Sequence, residues 1–217
     1  MPDWFRRTSW TREDEHQFFE RLARSRGNYN KSQYLRIQAS HLEDTGDRAN
    51  VESALRLLDQ LLREFPEPSQ VACALWQRAR CKELLGDISA AIESFRKALD
   101  AERQFPNART GATLDLAWLI ATRELRDLYD EALALVDSHR PSIAFPVDSF
   151  RAASIRALIA LDRGDKPTAS RLAAIALESA DRKHSGLRYH KTVGLVGSSY
   201  ENVVEKMRRW VNGREDG

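Results

Sequence analysis

Cysteine is scarce in this chain: Cys73 and Cys81 are the only two, eight residues apart inside what reads as a single helix. On a helix that spacing separates them by about 12 Å along the axis, beyond the reach of a disulfide. Two free thiols fit a reducing cytoplasm. Long apolar runs are missing too, since none approaches the roughly 18 to 20 residues that cross a bilayer. The opening Met1-Pro2-Asp3-Trp4-Phe5-Arg6-Arg7 puts no apolar stretch before a small-residue cleavage site, so no secretory signal is expected. Charge of one sign is also lacking. The 34 basic and 32 acidic side chains leave a formal +2, which supplies no global field for nucleic acid or an anionic membrane.

Signatures of catalysis are equally sparse. Gly-x-x-x-x-Gly-Lys is absent, and the ten glycines sit mostly in turns. There is no His-Glu-x-x-His, the cysteines have no metal spacing with any partner, and His16, His41, His139, His184 and His190 are scattered. No serine or cysteine stands in the context of a nucleophile elbow. A non-enzymatic protein without metal or cofactor is the expectation.

What the chain does have is a repeat. Phe-Pro occurs at Phe65-Pro66, Phe105-Pro106 and Phe145-Pro146, 40 residues apart each time. Proline cannot extend a helix interior and the residue before it avoids helical backbone, so each Phe-Pro reads as a helix end with the ring turned into the core. Between these stops lie paired helical patterns, broken at Asp44-Thr45-Gly46-Asp47, Leu85-Gly86-Asp87, Leu125-Arg126-Asp127 and Asp162-Arg163-Gly164-Asp165. Glycine suits the left-handed C-cap of the first helix of a pair, and the following aspartate can cap the second. After each break comes an apolar triplet at helical spacing: Ala54, Leu58 and Leu61; Ala91, Phe95 and Ala98; Ala132, Val136 and His139; Ala169, Ala173 and Ala176. A small residue there lets two helices approach closely, and its larger neighbours fill the seam.

The stretch from Leu85 to Leu99, with Gly86, Ala91, Phe95 and Ala98 in order, resembles the second half of a tetratricopeptide repeat. Ala54, Leu58, Leu61 and Pro66 follow the same spacing after a longer turn. The resemblance covers residues 32–183 as four degenerate units, although the first helices carry Ala79 or Ala157 where the family has glycine. It implies an all-α fold: an α-solenoid of about four stacked hairpins between capping helices, forming one domain over residues 1–217. Residues 1–31 form an N-terminal flap and cap, with Trp4, Phe5 and Trp10 packed down and a helix over 12–26 capped by Thr11, its Phe18, Phe19 and Leu22 turned inward. Residues 32–183 hold the repeats. Residues 184–217 hold a basic loop and a closing helix over 199–212 built on Val203, Val204, Met207, Trp210 and Val211.

In the family's register, positions two, five and nine of each first helix line a concave groove. These are Gln33, Arg36 and Ser40; Cys73, Trp76 and Arg80; Leu114, Ala117 and Ala121; Arg151, Ser154 and Leu158. Arg36, Arg80 and Arg151 with Trp76 suit an acidic or aromatic-bearing peptide, since guanidinium pairs bidentately with carboxylate. The family's carboxylate clamp uses lysine and asparagine at such sites, and this sequence does not reproduce it. The plainer reading pairs these arginines with Glu43, Glu83 and Glu124 as solvated salt bridges.

A second segment stands apart. Arg182, Lys183, His184, Arg188, Tyr189, His190 and Lys191 form a basic stretch with one aromatic, able to grip phosphate and stack a base. The plainer reading is a linker whose Leu187, Tyr189, Leu195 and Val196 tuck under the last helix. The function expected from all this is a cytoplasmic interaction module holding a segment of another protein, with a place in a larger assembly. The alternative is a nucleic-acid accessory protein working through residues 182–191.

Overall fold

The computed structural model describes residues 3–139 and 145–211; Met1, Pro2 and the expected helical Asn212 lie outside them. Among the described residues the chain is all-helical, with no strand. The α-helices are α1 (Arg12–Arg24), α2 (Asn28–Glu43), α3 (Arg48–Glu64), α4 (Pro68–Leu84), α5 (Ile88–Gln104), α6 (Ala112–Thr122), α7 (Tyr129–Ser138), α8 (Pro146–Asp162), α9 (Lys166–Ala180) and α10 (Glu201–Val211). Short 3-10 turns at Arg126–Leu128 and Ser198–Tyr200 precede α7 and α10. Neighbouring helices pack as pairs, most closely α2 with α3, α4 with α5 and α8 with α9. By its internal contacts the chain divides into two compact units, Met1–Ala112 and Thr113–Gly217.

The turns inside the pairs form for the reasons read from the sequence. Gly46, Gly86 and Gly164 take positive φ of 66°, 84° and 83°, where a Cβ would crowd the next carbonyl. Asp47, Asp87 and Asp165 then accept hydrogen bonds from the backbone N–H of Asn50, Ala90 and Thr168, capping α3, α5 and α9. The third pair departs from this pattern. Its turn has no glycine, and Glu124 enters the left-handed region at φ 53°. Asp127 does not cap the next helix either. It lies in the 3-10 turn, and Leu128 takes the N-cap position of α7 without a side-chain hydrogen bond. An L-residue in left-handed backbone costs roughly 1–2 kcal/mol. Glu124→Gly is therefore expected to stabilise the protein by up to about 1 kcal/mol after the extra flexibility of the unfolded chain is subtracted, read as a raised thermal midpoint.

The Phe-Pro motifs do two different jobs. Phe65 and Phe105 are the C-caps of α3 and α5, as expected of helix stops. Phe145-Pro146 instead begins a helix, with Phe145 at the N-cap and Pro146 at the first turn of α8. Proline is as welcome at the first helical position as it is just past a helix end, because both places need no N–H donor.

In the first unit the core joins Phe18 and Leu22 of α1 to Leu35, Ala39 and Leu42 of α2, the α3 stripe Val51, Ala54, Leu57, Leu58 and Leu61, and Ala74 and Cys81 of α4. Thr11 and Asp14 form a reciprocal capping box at the start of α1. The Thr11 backbone N–H on the Asp14 carboxylate, helped by the hydroxyls of Thr11 and Ser9 and by Arg7, holds that carboxyl below its ordinary range. The N-terminal flap is bound at both ends of a peptide-like clasp. The Arg7 N–H donates to Gln38 Oε1 at 3.0 Å, and Gln38 Nε2 donates back to the Arg7 carbonyl at 2.7 Å. Trp4 stacks within 5.2 Å of Phe18 and 4.9 Å of Tyr34, while Trp10 lies 5.4 Å from Phe18. Such ring pairs add roughly 0.5–1.5 kcal/mol each beyond their burial.

In the second unit, Ala169, Ala173 and Ala176 of α9 are buried, as are Ala153, Ala157 and Ile159 of α8. The alanines among them let the pair approach closely. The triplet of α7 is shorter than expected: Ala132 and Val136 are buried, but His139 is the C-cap. The closing helix α10 packs against α9 with Val204 and Met207 buried, while Val211 is exposed rather than part of its apolar face.

Candidate functional site

In the first unit, α2 and α4 bring Gln33, Arg36, Ser40, Cys73, Trp76 and Arg80 to half-buried positions. On α4 the spacing of Cys73, Trp76 and Arg80 keeps all three on one side of the helix. The Arg80 guanidinium lies over the Trp76 ring at 5.1 Å. Its Nε meets Glu43 Oε1 at 2.7 Å, and the Glu43 side chain is only 2% exposed against 39% for Arg80. The expected Arg80–Glu43 pair is therefore present, but its carboxylate is buried rather than solvated. Arg36 does not pair with a glutamate. Its Nε donates to Gln70 Oε1 at 2.7 Å, joining α2 to the start of α4. Burial pushes the Cys73 thiol up despite the nearby Arg36, and burial raises the Cys81 thiol strongly, so neither thiol is activated.

The corresponding positions of the second unit are closed. Leu114, Ala117, Ala121, Ser154 and Leu158, expected along a groove, are all buried. For α8 the cover is the C-terminal helix. The Ser154 hydroxyl donates to the Met207 sulphur at 3.5 Å, and Tyr200 sits 5.2 Å from Trp118 and 5.4 Å from Phe150. Ser154 is thus a packing residue under α10 and offers no donor to a partner. Arg151 pairs with Asp115 at 2.6 Å, not with Glu124, and its guanidinium lies 5.6 Å from the Trp118 centroid. A recess between α6, α8 and α10 remains, lined by Ala121, Leu158, Leu161 and Trp210, with Glu124, Asp162 and Lys206 around it.

Three of these pairings share a rule that the sequence could have yielded. Arg36 with Gln70, Arg80 with Glu43 and Arg151 with Asp115 join first helices of consecutive pairs, and the first and last are separated by 34 and 36 residues. Polar partners one repeat length apart are the signal; searching for partners close in sequence misses Gln70 and Asp115.

The basic segment lies in the second unit, between α9 and the Ser198–Tyr200 turn. Arg182, Lys183, His184, Arg188, His190 and Lys191 are all exposed. Tyr189 is 80% exposed, so it does not tuck under the last helix, whereas Leu187, Leu195 and Val196 are half-buried. Among the described residues no group of three or more His, Cys, Asp or Glu side chains could hold a metal ion. No helix among them is long and apolar enough to cross a membrane. No family model, no curated protein and no solved structure matches this chain.

Proposed function

We propose that this chain is a non-catalytic, tetratricopeptide-like interaction module that holds a segment of another protein, working in the cytoplasm as part of a larger assembly. The observation that carries the reading is the α2/α4 face of the first unit. Trp76 is half-buried there under Arg80, with Arg36 and Cys73 beside it, while the equivalent face of the second unit is covered by α10. A half-exposed tryptophan with arginines is the composition that anchors interfaces, because it combines a large apolar surface with charge-assisted donors. The register of α5 supports the family resemblance: Gly86 is left-handed, Asp87 caps, and Ala91, Phe95 and Ala98 are buried in the seam. The segment held is acidic or aromatic-bearing, since the face offers guanidinium groups.

Arg80 and Arg151 are poor probes of this reading, because each holds an internal carboxylate. Gln33→Glu combined with Arg36→Glu reverses the polarity of the α2 side while leaving the Glu43 pair in place. From host lysate treated with nuclease, the wild type is expected to retain one partner at near-stoichiometric amount, and the double variant is expected to lose at least about tenfold of it, worth ~1.4 kcal/mol. Unchanged circular dichroism and thermal midpoint establish that the fold is intact. Full retention by a folded variant, or recovery of nothing that survives nuclease, would overturn the assignment of this face.

A further inference from the structure

The loop after α9 is a built structure. The Ser185 backbone N–H donates to the Lys191 carbonyl at 2.8 Å, and the Ser185 hydroxyl donates to the His190 carbonyl at 2.7 Å. The same hydroxyl accepts from the Leu187 N–H at 3.2 Å. Ser185 thus closes the neck of a loop that presents Arg188 and Tyr189, and Gly186, at φ 87°, makes the reversal. Beyond the neck, the Gly194 carbonyl accepts from the Val147 N–H at 2.9 Å, fastening the segment to the start of α8. A Cβ at Gly194 would lie 2.4 Å from the Phe145 ring, so glycine there permits the close seat.

Several arginines elsewhere are matched across helices: Arg78 with Asp59, Arg126 with Asp162, Arg156 with Asp137 and Arg163 with Asp130. Arg182, Lys183, Arg188 and Lys191 make no ion pair among the described residues. The adjacent Asp181 is directed to Arg208 of α10 at 3.5 Å. The same segment carries Tyr189, the most exposed large hydrophobic side chain described, with the Arg188 guanidinium 5.2 Å from its ring centroid.

We propose that this loop binds single-stranded nucleic acid, with one base stacked on Tyr189 and the neighbouring phosphates held by Arg182, Lys183, Arg188 and Lys191. Paired cations lose as much as they gain when a phosphate arrives; unpaired ones release their counterions and gain outright. An exposed ring on a closed loop offers its face to any unstacked base, which a duplex keeps stacked within itself. A membrane surface fits less well, because the exposed apolar side chains of the segment are only Tyr189 and Val193, Leu187 is half-buried, and no amphipathic helix accompanies them. The site is separate from the α2/α4 face, and its success or failure does not depend on that reading.

The test uses the full chain and short fluorescent oligonucleotides: single-stranded RNA, single-stranded DNA and a duplex, by fluorescence anisotropy at several salt concentrations. Single strands of either sugar are expected to bind, with a log–log salt slope of about −3 for four phosphates and a loss of about 50-fold between 50 and 200 mM salt. Arg188→Gln with Lys191→Gln is expected to halve that slope. Tyr189→Ala is expected to weaken binding by about 5- to 150-fold with the slope unchanged, because it removes stacking and no charge. Since these side chains are exposed, the variants keep the fold, and a matching thermal midpoint verifies it. The proposal is overturned if single strands do not bind at low salt, if duplex binds as well and Tyr189→Ala is neutral, or if only phosphatidylserine vesicles or acidic peptides bind.

Discussion

Met207→Asp should release α10 from the second unit while leaving the rest of that unit folded. Met207 is fully buried and its sulphur accepts from Ser154. Truncating a buried methionine costs about 2–5 kcal/mol, and a carboxylate in the same place adds a desolvation penalty. The chain need not meet that whole cost. α10 is a short helix with only Val204 and Met207 buried, so undocking it costs less than holding an ionised carboxylate against α8. Release would bare Trp118 and Phe150, which Tyr200 now covers. The readouts are a red shift in tryptophan emission, carried by Trp118 and by Trp210 of α10 and so only reduced in a Trp118→Phe background, and faster proteolysis confined to the C-terminal segment. Met207→Leu, a near volume-conserving exchange, should cost less than about 1.5 kcal/mol and give neither signal. Unchanged emission and unchanged cleavage in Met207→Asp would show that α10 does not close this face.

Phe95→Ala is the counterpart in the first unit, and there no helix can step aside. Phe95 is fully buried in the middle of α5, flanked by Ala91 and Ala98 at the seam with α4. Removing a buried phenylalanine costs about 3–5 kcal/mol, and small alanine neighbours cannot collapse into the space. Against a total stability of roughly 5–15 kcal/mol for a natural domain, that loss is a large fraction of the whole. The urea midpoint should fall accordingly, with the slope of the transition unchanged. Phe95→Leu should retain more than half of the lost stability. A Phe95→Ala loss below about 1 kcal/mol would mean that this seam does not hold the pair together.

Much of this architecture was legible in the sequence because local physics decides it. Gly46, Gly86 and Gly164 end helices, Asp47, Asp87 and Asp165 start them, and the buried triplets led by Ala54, Ala91 and Ala169 mark where pairs meet. The third turn was misread because Leu125-Arg126-Asp127 lacks the glycine, and the chain solves the reversal with Glu124 and a 3-10 turn instead. Phe145-Pro146 was misread because a proline's fixed φ and missing N–H serve a helix start as well as a stop. That the corresponding positions of the second unit lie under α10 was not legible. An amphipathic helix such as α10 declares that it has an apolar side, but nothing in its own residues says which surface that side will cover. The arginine partners were hidden for a related reason. Gln70 and Asp115 lie a full repeat away, where tertiary stacking and not local spacing brings them close.

The cover on the second unit has a consequence for how the protein is made. Translation delivers Trp118 and Phe150 well before Tyr200 and Met207. At ~5–20 residues per second, the ring surface of α6 and α8 is complete roughly 2.5 to 10 s before the segment that shields it emerges. During that interval the nascent chain displays, to the crowded space around the ribosome, an aromatic patch that α10 has not yet covered.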